Sequence, residues 1–188
     1  MKKIAVFASG SGSNFQAIMD EIKAGGLKAE ISLLVCDRPG ALVLERASGE
    51  GVNVFCFSPK EYESKEMFEL EILSALSEHE AEYIVLAGYM RLIGHTLLQK
   101  FPQKIINIHP SYLPAFPGKD AIGQAFDAGV KETGVTVHYV DEGMDTGPAI
   151  AQRRVPILPG DTKEALQKRI QAVEHELYPQ VLNKILHT

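Results

Sequence analysis

The sequence predicts an α/β fold: a doubly wound, mostly parallel sheet of about seven strands with helices on both faces. Three observations carry this reading. Short apolar runs of strand character alternate with longer stretches of helical spacing. The early runs are apolar throughout instead of alternating, as strands covered on both faces are. Glycine and proline clusters fall between the elements and not inside them. Such strand–helix alternation implies parallel pairing with right-handed crossovers.

Ile4 to Ala8 is a compact apolar run and reads as a buried first strand. Ser9-Gly10-Ser11-Gly12-Ser13-Asn14 is a loop of small and polar residues, and Phe15 to Ala24 has Phe15, Ile18, Met19 and Ile22 on one helical face. Ile31 to Cys36 is the second strand, Ala41 to Ser48 a short helix closed near Gly49 and Gly51, and Val52 to Phe57 the third strand. Lys60 to Glu80 reads as a long charged helix, with Met67, Leu70, Ile72, Leu73 and Leu76 expected as its buried stripe. Tyr83 to Ala87 is the fourth strand, and Leu97 to Phe101 belongs to a helix that Pro102 ends. Ile105 to His109 is the fifth strand, broken by Pro110, Ser111 and Pro114. A helix from Asp120 to Ala128 follows, with Asp120 as its N-cap. Val135 to Val140 alternates with period two, as a half-buried strand does. Ala149 to Val155 is the last strand, antiparallel to its partner because the connection is short. Thr162 to Leu186 closes the chain as a helix, with Asp161 the expected N-cap and Pro179 an expected kink. No repeat, low-complexity tract or linker interrupts residues 1–188, so one domain is expected.

Bulk properties narrow the function. The chain is 45% hydrophobic and 23% charged, enough for a core without disulfides or metals. A formal net charge of -5 argues against a general nucleic-acid surface but leaves room for a local phosphate pocket. Cys36 and Cys56 lie in apolar runs and read as reduced core residues, and no Cys/His spacing resembles a zinc site. The run after Lys2 and Lys3 is too short for a signal peptide, and no run approaches membrane-spanning length. A cytoplasmic location is the simplest expectation.

The chemistry concentrates at strand ends. A strand, a glycine loop and a helix N-terminus make an anion site, because free N–H groups point at the ligand. The nucleotide fingerprint needs a third glycine where this chain has Phe15. Asp37 does lie where the ribose acid of a dinucleotide site falls. A phosphate monoester site fits at least as well, and a plain tight turn remains open. Asn107 and His109 are two apart in a strand and so share a side. An amide donor beside an imidazole suits a carbonyl oxygen that gains charge. Asp145, between glycine-containing turns, is able to reach back to His109, and a carboxylate there favours the imidazolium. A turn-forming Asp is the bland alternative. Ser111 follows His109 too closely to be its nucleophile, and no Gly-x-Ser-x-Gly elbow appears. His79, His95, His138, His175 and His187 are scattered and read as surface or strand-filling, with His175 nearest a ligand.

At four places the chain closely resembles the glycinamide ribonucleotide formyltransferase family. They are Ser9 to Ile18, Leu86 to Arg91, Asn107 to Pro114 and Asp145 to Pro148. Their order is more specific than any one of them, and the resemblance spans essentially the whole chain. It implies a Rossmann-like fold and formyl transfer from 10-formyltetrahydrofolate, as co-substrate, to the amine of glycinamide ribonucleotide in purine synthesis, with no metal. Residue by residue, it implies Asn107, His109 and Asp145 as the catalytic set, and Gly12, Ser13 and Asn14 as the substrate phosphate loop. It further implies Glu174 at the ribose or amine side of that substrate. Met90, Arg91, Leu92 and Ile93 would form one folate wall, with Asn107 beside it. Asp141, Glu142, Gly143, Met144 and Asp145 would form the other, and Lys65 would contact the folate tail. The implied partners are small molecules, without nucleic acid or membrane, for a monomer or homodimer. The family's His- and Arg-containing segment after the Pro-Gly turn is replaced here by Lys119-Asp120-Ala121-Ile122-Gly123. Related formyltransferases that act on tRNA, or that hydrolyse the folate, carry an extra domain for which this length leaves no room. A nucleotide-binding regulator would leave Asn107, His109 and Asp145 without a shared purpose, and a nicotinamide-dependent oxidoreductase is disfavoured by Phe15.

Overall fold

The computed structural model describes residues 1–188. Seven strands form one sheet: β1 Lys2–Ala8, β2 Ala29–Cys36, β3 Val54–Cys56, β4 Tyr83–Leu86, β5 Ile105–His109, β6 Glu132–Tyr139 and β7 Ala149–Pro156. Six helices accompany them: α1 Ser13–Ala24, α2 Leu42–Gly49, α3 Lys65–Glu78, α4 His95–Lys100, α5 Ala121–Asp127 and α6 Lys163–Leu186. The strand order is β3-β2-β1-β4-β5-β6-β7. Pairing is parallel from β3 to β5 and antiparallel at β5–β6 and β6–β7. The α/β, mostly parallel sheet expected from the sequence is therefore the sheet observed.

Both faces of the parallel half are covered, which is why its strands lack alternation. Ile4, Val6 and Ala8 point into the larger core with α1 and α6, while Ala5 and Phe7 point into the smaller one with α3 and α4. In such sheets ligands bind beyond the carboxyl ends of the strands, where the order reverses. Here that point lies between β1 and β4. Helix α6 fixes the same edge from below. Tyr178 is fully buried, and its hydroxyl donates to the carbonyl oxygens of Leu86 (2.7 Å) and Ile106 (3.1 Å). These residues belong to the strands that lead into Gly88–Ile93 and carry Asn107.

Several local expectations need correction. The long charged helix starts at Lys65, because Pro59–Glu61 forms a separate 3-10 turn and Ser64 caps α3 by accepting the Met67 N–H. Its buried face is Phe68, Glu69, Ile72, Ala75 and Leu76, and Met67 and Leu70 stand exposed. Thr162, not Asp161, caps α6. Asp161 instead accepts from the Leu158 N–H and pairs bidentately with Arg169. Helix α6 runs unbroken through Pro179. Both cysteines are free thiols, but only Cys36 is core. Cys56 is exposed because β3 is a three-residue edge strand. No helix is long and apolar enough to cross a membrane.

Tyr178→Phe should lower the unfolding free energy by about 1–2 kcal/mol, since it removes the donor from two buried carbonyls. Urea unfolding monitored by circular dichroism measures this; a change below a few tenths would remove the clamp from the account.

Candidate active site

The loop after β1 is shaped by glycine. Gly12 has φ 75°, and a Cβ there would lie 2.5 Å from Val43 Cγ2, so the loop packs on α2 only without a side chain. The Gly10 carbonyl accepts the Val43 N–H, and Arg46 Nε donates to the Ser11 carbonyl at 2.7 Å. Gly12 begins α1 with no side-chain cap. The first N–H groups of that helix are therefore available to an anion.

The next groups come from β5 and β6. Asn107 and His109 share one side of β5, as alternation requires. The antiparallel register sets Asn107 opposite His138 and His109 opposite Thr136. The Asn107 amide lies 3.3 Å from His138 Nε2, while His138 Nδ1 lies 2.8 Å from the Tyr139 carbonyl. A ring that donates from Nδ1 and accepts at Nε2 is neutral. Burial also pushes the His138 pKa down. One amide hydrogen of Asn107 is thus engaged and the other remains free for a ligand oxygen.

His109 is buried, with Nδ1 3.5 Å from Asp145 Oδ1 and Nε2 2.9 Å from the Phe116 carbonyl. Asp145 also lies 3.8 Å from His138 Nε2, and its other oxygen accepts the Gly118 N–H at 2.8 Å. Phe116, Asp120 and Asp145 all have positive φ, between 50° and 56°. Such backbone is costly for residues other than glycine and collects at functional sites.

One cavity of about 640 Å³ joins these groups, a size typical of small-molecule sites. Its lining comes from residues 10–14, 86–93, 107–110, 118–123, 138, 140 and 143–145, and from α6. An anion loop, a free amide, and an imidazole with an adjacent carboxylate suit acyl-type transfer to or from a phosphorylated ligand.

Comparison with known proteins agrees with this chemistry. Residues 2–182 match the family described as formyl transferase. The chain belongs to that family. Phosphoribosylglycinamide formyltransferase of Bacillus subtilis (strain 168) is 59% identical over 186 residues, covering 99% of this chain and 95% of that protein. Glycinamide ribonucleotide transformylase 1 from Geobacillus kaustophilus superposes with a TM-score of 0.97 at 68% identity, covering 99% of both chains. The trifunctional purine biosynthetic protein adenosine-3 of Drosophila pseudoobscura pseudoobscura is 45% identical over 183 residues, or 96% of this chain but 13% of the fly protein.

For this formyl transferase, most residues singled out in the sequence meet at the cavity. Gly12, Ser13, Asn14, Met90–Ile93, Asn107, His109, Gly143, Met144, Asp145 and Glu174 all line it. Lys65, Asp141 and Glu142 do not. Lys65 is exposed and donates to the Leu92 carbonyl at 2.9 Å, behind the wall it was expected to extend. Asp141 accepts from the Gly143 N–H and the Thr146 hydroxyl, which folds its own loop. Sequence reasoning missed His138. Its signal was the alternation of Val135–Val140, which makes every second residue face one side, but the partner strand and register were needed to place Asn107 there. His175 is half-buried, outside the lining, and its Nε2 has no partner. Asp37 lies outside the lining and accepts from Ser9 and Arg91.

Glu174 is 7% exposed, and its only hydrogen-bond partner is the Asn14 amide at 3.3 Å. Burial pushes its pKa up from 4.5 to about 7, with the Asn14 bond opposing. Between those values the native state holds a proton that the unfolded chain has lost, so stability falls as pH rises. Glu174→Gln should therefore flatten the decline from pH 5 to pH 8 and, at pH 8, exceed wild type by up to about 3 kcal/mol. Urea titrations of both proteins across that range measure it; parallel curves would assign Glu174 an ordinary pKa.

Proposed function

We propose that this chain transfers the formyl group of 10-formyltetrahydrofolate to the amine of glycinamide ribonucleotide, yielding formylglycinamide ribonucleotide and tetrahydrofolate for purine synthesis. The observation that carries the reading is the meeting of Asn107, His109 and Asp145 in a cavity that also holds a phosphate-type loop. The two ends of that cavity suit the two reactants. Gly12, Ser13 and Asn14 take the phosphate of the ribonucleotide, and Glu174 lies beside Asn14 for its ribose or amine side. Met90–Ile93 and Gly143–Asp145 form the walls for the folate. The chain then works as one domain, its N-terminal half supplying the ribonucleotide end and its C-terminal half the catalytic and folate groups.

The amine attacks the formyl carbon directly, and negative charge builds on the formyl oxygen. Asn107 donates its free amide hydrogen to that oxygen. His109 exchanges its contact with the Phe116 carbonyl for the same oxygen, because a charged acceptor outcompetes a neutral one. Asp145 holds the ring through Nδ1 and helps carry the proton away from the attacking nitrogen. Expulsion of the folate nitrogen, which takes up a proton, completes the transfer. No group of the protein is acylated. Much of the rate comes from holding two reactants in register. The reading places a monomer or homodimer in the cytoplasm, with small molecules as its only partners.

His109→Asn should lower kcat by about 10²- to 10⁴-fold, with binding of either ligand changed little. A folate-absorbance assay with and without the ribonucleotide measures both points. Turnover in its absence would make the enzyme a hydrolase, and near-normal turnover in the variant would take the reaction away from His109.

A further inference from the structure

The wall segment from Tyr89 to Ile93 has no regular structure, and its backbone makes no hydrogen bond to other backbone. Residues 90–92 are exposed as well, so neither a backbone ladder nor burial holds the segment in place. Side chains do. The Met90 N–H donates to Ser9 Oγ at 2.9 Å. The Ser9 hydroxyl in turn donates to Asp37 Oδ1 at 2.5 Å. The second Asp37 oxygen accepts from Arg91 Nε at 2.8 Å. Lys65 and Glu69 complete the frame from α3, through the Leu92 carbonyl and the Gly94 N–H.

Asp37 is the hub of the inner side. It follows the last residue of β2, Ser9 follows the last residue of β1, and β4 lies next to β1. Its carboxylate therefore reaches from one strand across the next to the loop beyond. Ser9 is 1% exposed and Asp37 8%. A buried carboxylate is retained only with partners, and both of its partners lead to the same segment. The opposite side of that segment is open, with Met90 59% and Leu92 45% exposed at the cavity. Arg91 is engaged through Nε alone, and both Nη groups lack a protein partner.

We propose that Asp37 is the positioning residue of the folate-side wall: by holding Ser9 and Arg91 together it fixes residues 89–93 in the geometry that receives the formyl donor. Asp37 touches no reactant. Its effect passes through the Met90 amide and the Arg91 side chain, and it is specific to one of the two ligands. The inference rests on the assignment of Met90–Ile93 to the folate.

Asp37→Asn keeps the size but removes the charge that strengthens both bonds. The expected result is a rise of about tenfold in KM for 10-formyltetrahydrofolate, with kcat and the ribonucleotide KM each within about twofold. Hydrogen exchange at the Met90 amide should speed up, while the Gly94 amide, held by Glu69, keeps its rate. Ser9→Ala carries the test if Asp37→Asn does not fold, with an expected rise of about threefold in the donor KM and the same faster Met90 exchange. Equal rises in both KM values, or an unchanged donor KM in the folded variant, would overturn the proposal. If wild-type enzyme showed no ribonucleotide-dependent turnover, the parent assignment would fail by itself. Met90 exchange in Asp37→Asn as slow as in wild type would then overturn the positioning role separately.

Discussion

The antiparallel pairing of β5 and β6 is the constraint on which the site depends. A shift of one residue in that register would set Val137 or Tyr139, in place of His138, opposite Asn107. With the observed register, the His138 ring accepts one amide hydrogen of Asn107 and lies within 3.8 Å of Asp145. The amide is thereby oriented before any ligand arrives, which is what stabilisation of a developing charge requires. Burial keeps His138 in the neutral, accepting form, since it depresses the ring's pKa. A cationic ring in that place would offer Asn107 no lone pair. The two histidines of the site thus stand in different environments: one between a carboxylate and a carbonyl, the other against an amide and its neighbour's carbonyl.

The parallel half of the sheet solves a different problem. It must leave room at one edge for both the glycine loop and the segment after β4. Reversal of strand order at β1 and β4 separates the glycine loop from the segment after β4, so a cavity opens between them. Tyr178 ties β4 and β5 together beneath that opening. Asp37 and Ser9 tie β2 and β1 to the loop after β4 above it. The first N–H groups of α1, which carry no side-chain cap, face the same opening.

How far the sequence leads depends on the range of the interactions concerned. Strand β1 is visible because burial on both faces leaves only apolar side chains from Ile4 to Ala8. The spacing of Asn107 and His109 is local, so their common side follows from alternation alone. The Pro-led 3-10 turn before α3 carries the same charged composition as a helix, so composition does not mark the boundary. Met67 and Leu70 stand exposed on α3 because a residue type reports chemistry and not exposure. His138 and the Lys65 contact to Leu92 needed long-range pairing, which no local pattern contains. The family motifs gave the meeting of Asp145 with His109 as an expectation; the fold supplies the distance.

The departure at Lys119–Gly123 has a local physical cause. Asp120 sits at φ 50° and caps α5 by accepting the Gly123 N–H at 3.2 Å. A Cβ at position 123 would lie 2.2 Å from an Asp120 carboxylate oxygen. The capping geometry of the aspartate therefore fits closely over the glycine. One carboxylate oxygen of Asp120 is engaged by the cap, and the residue also lines the cavity. Lys119, which lines the cavity and has no carboxylate partner, is left as the segment's cation.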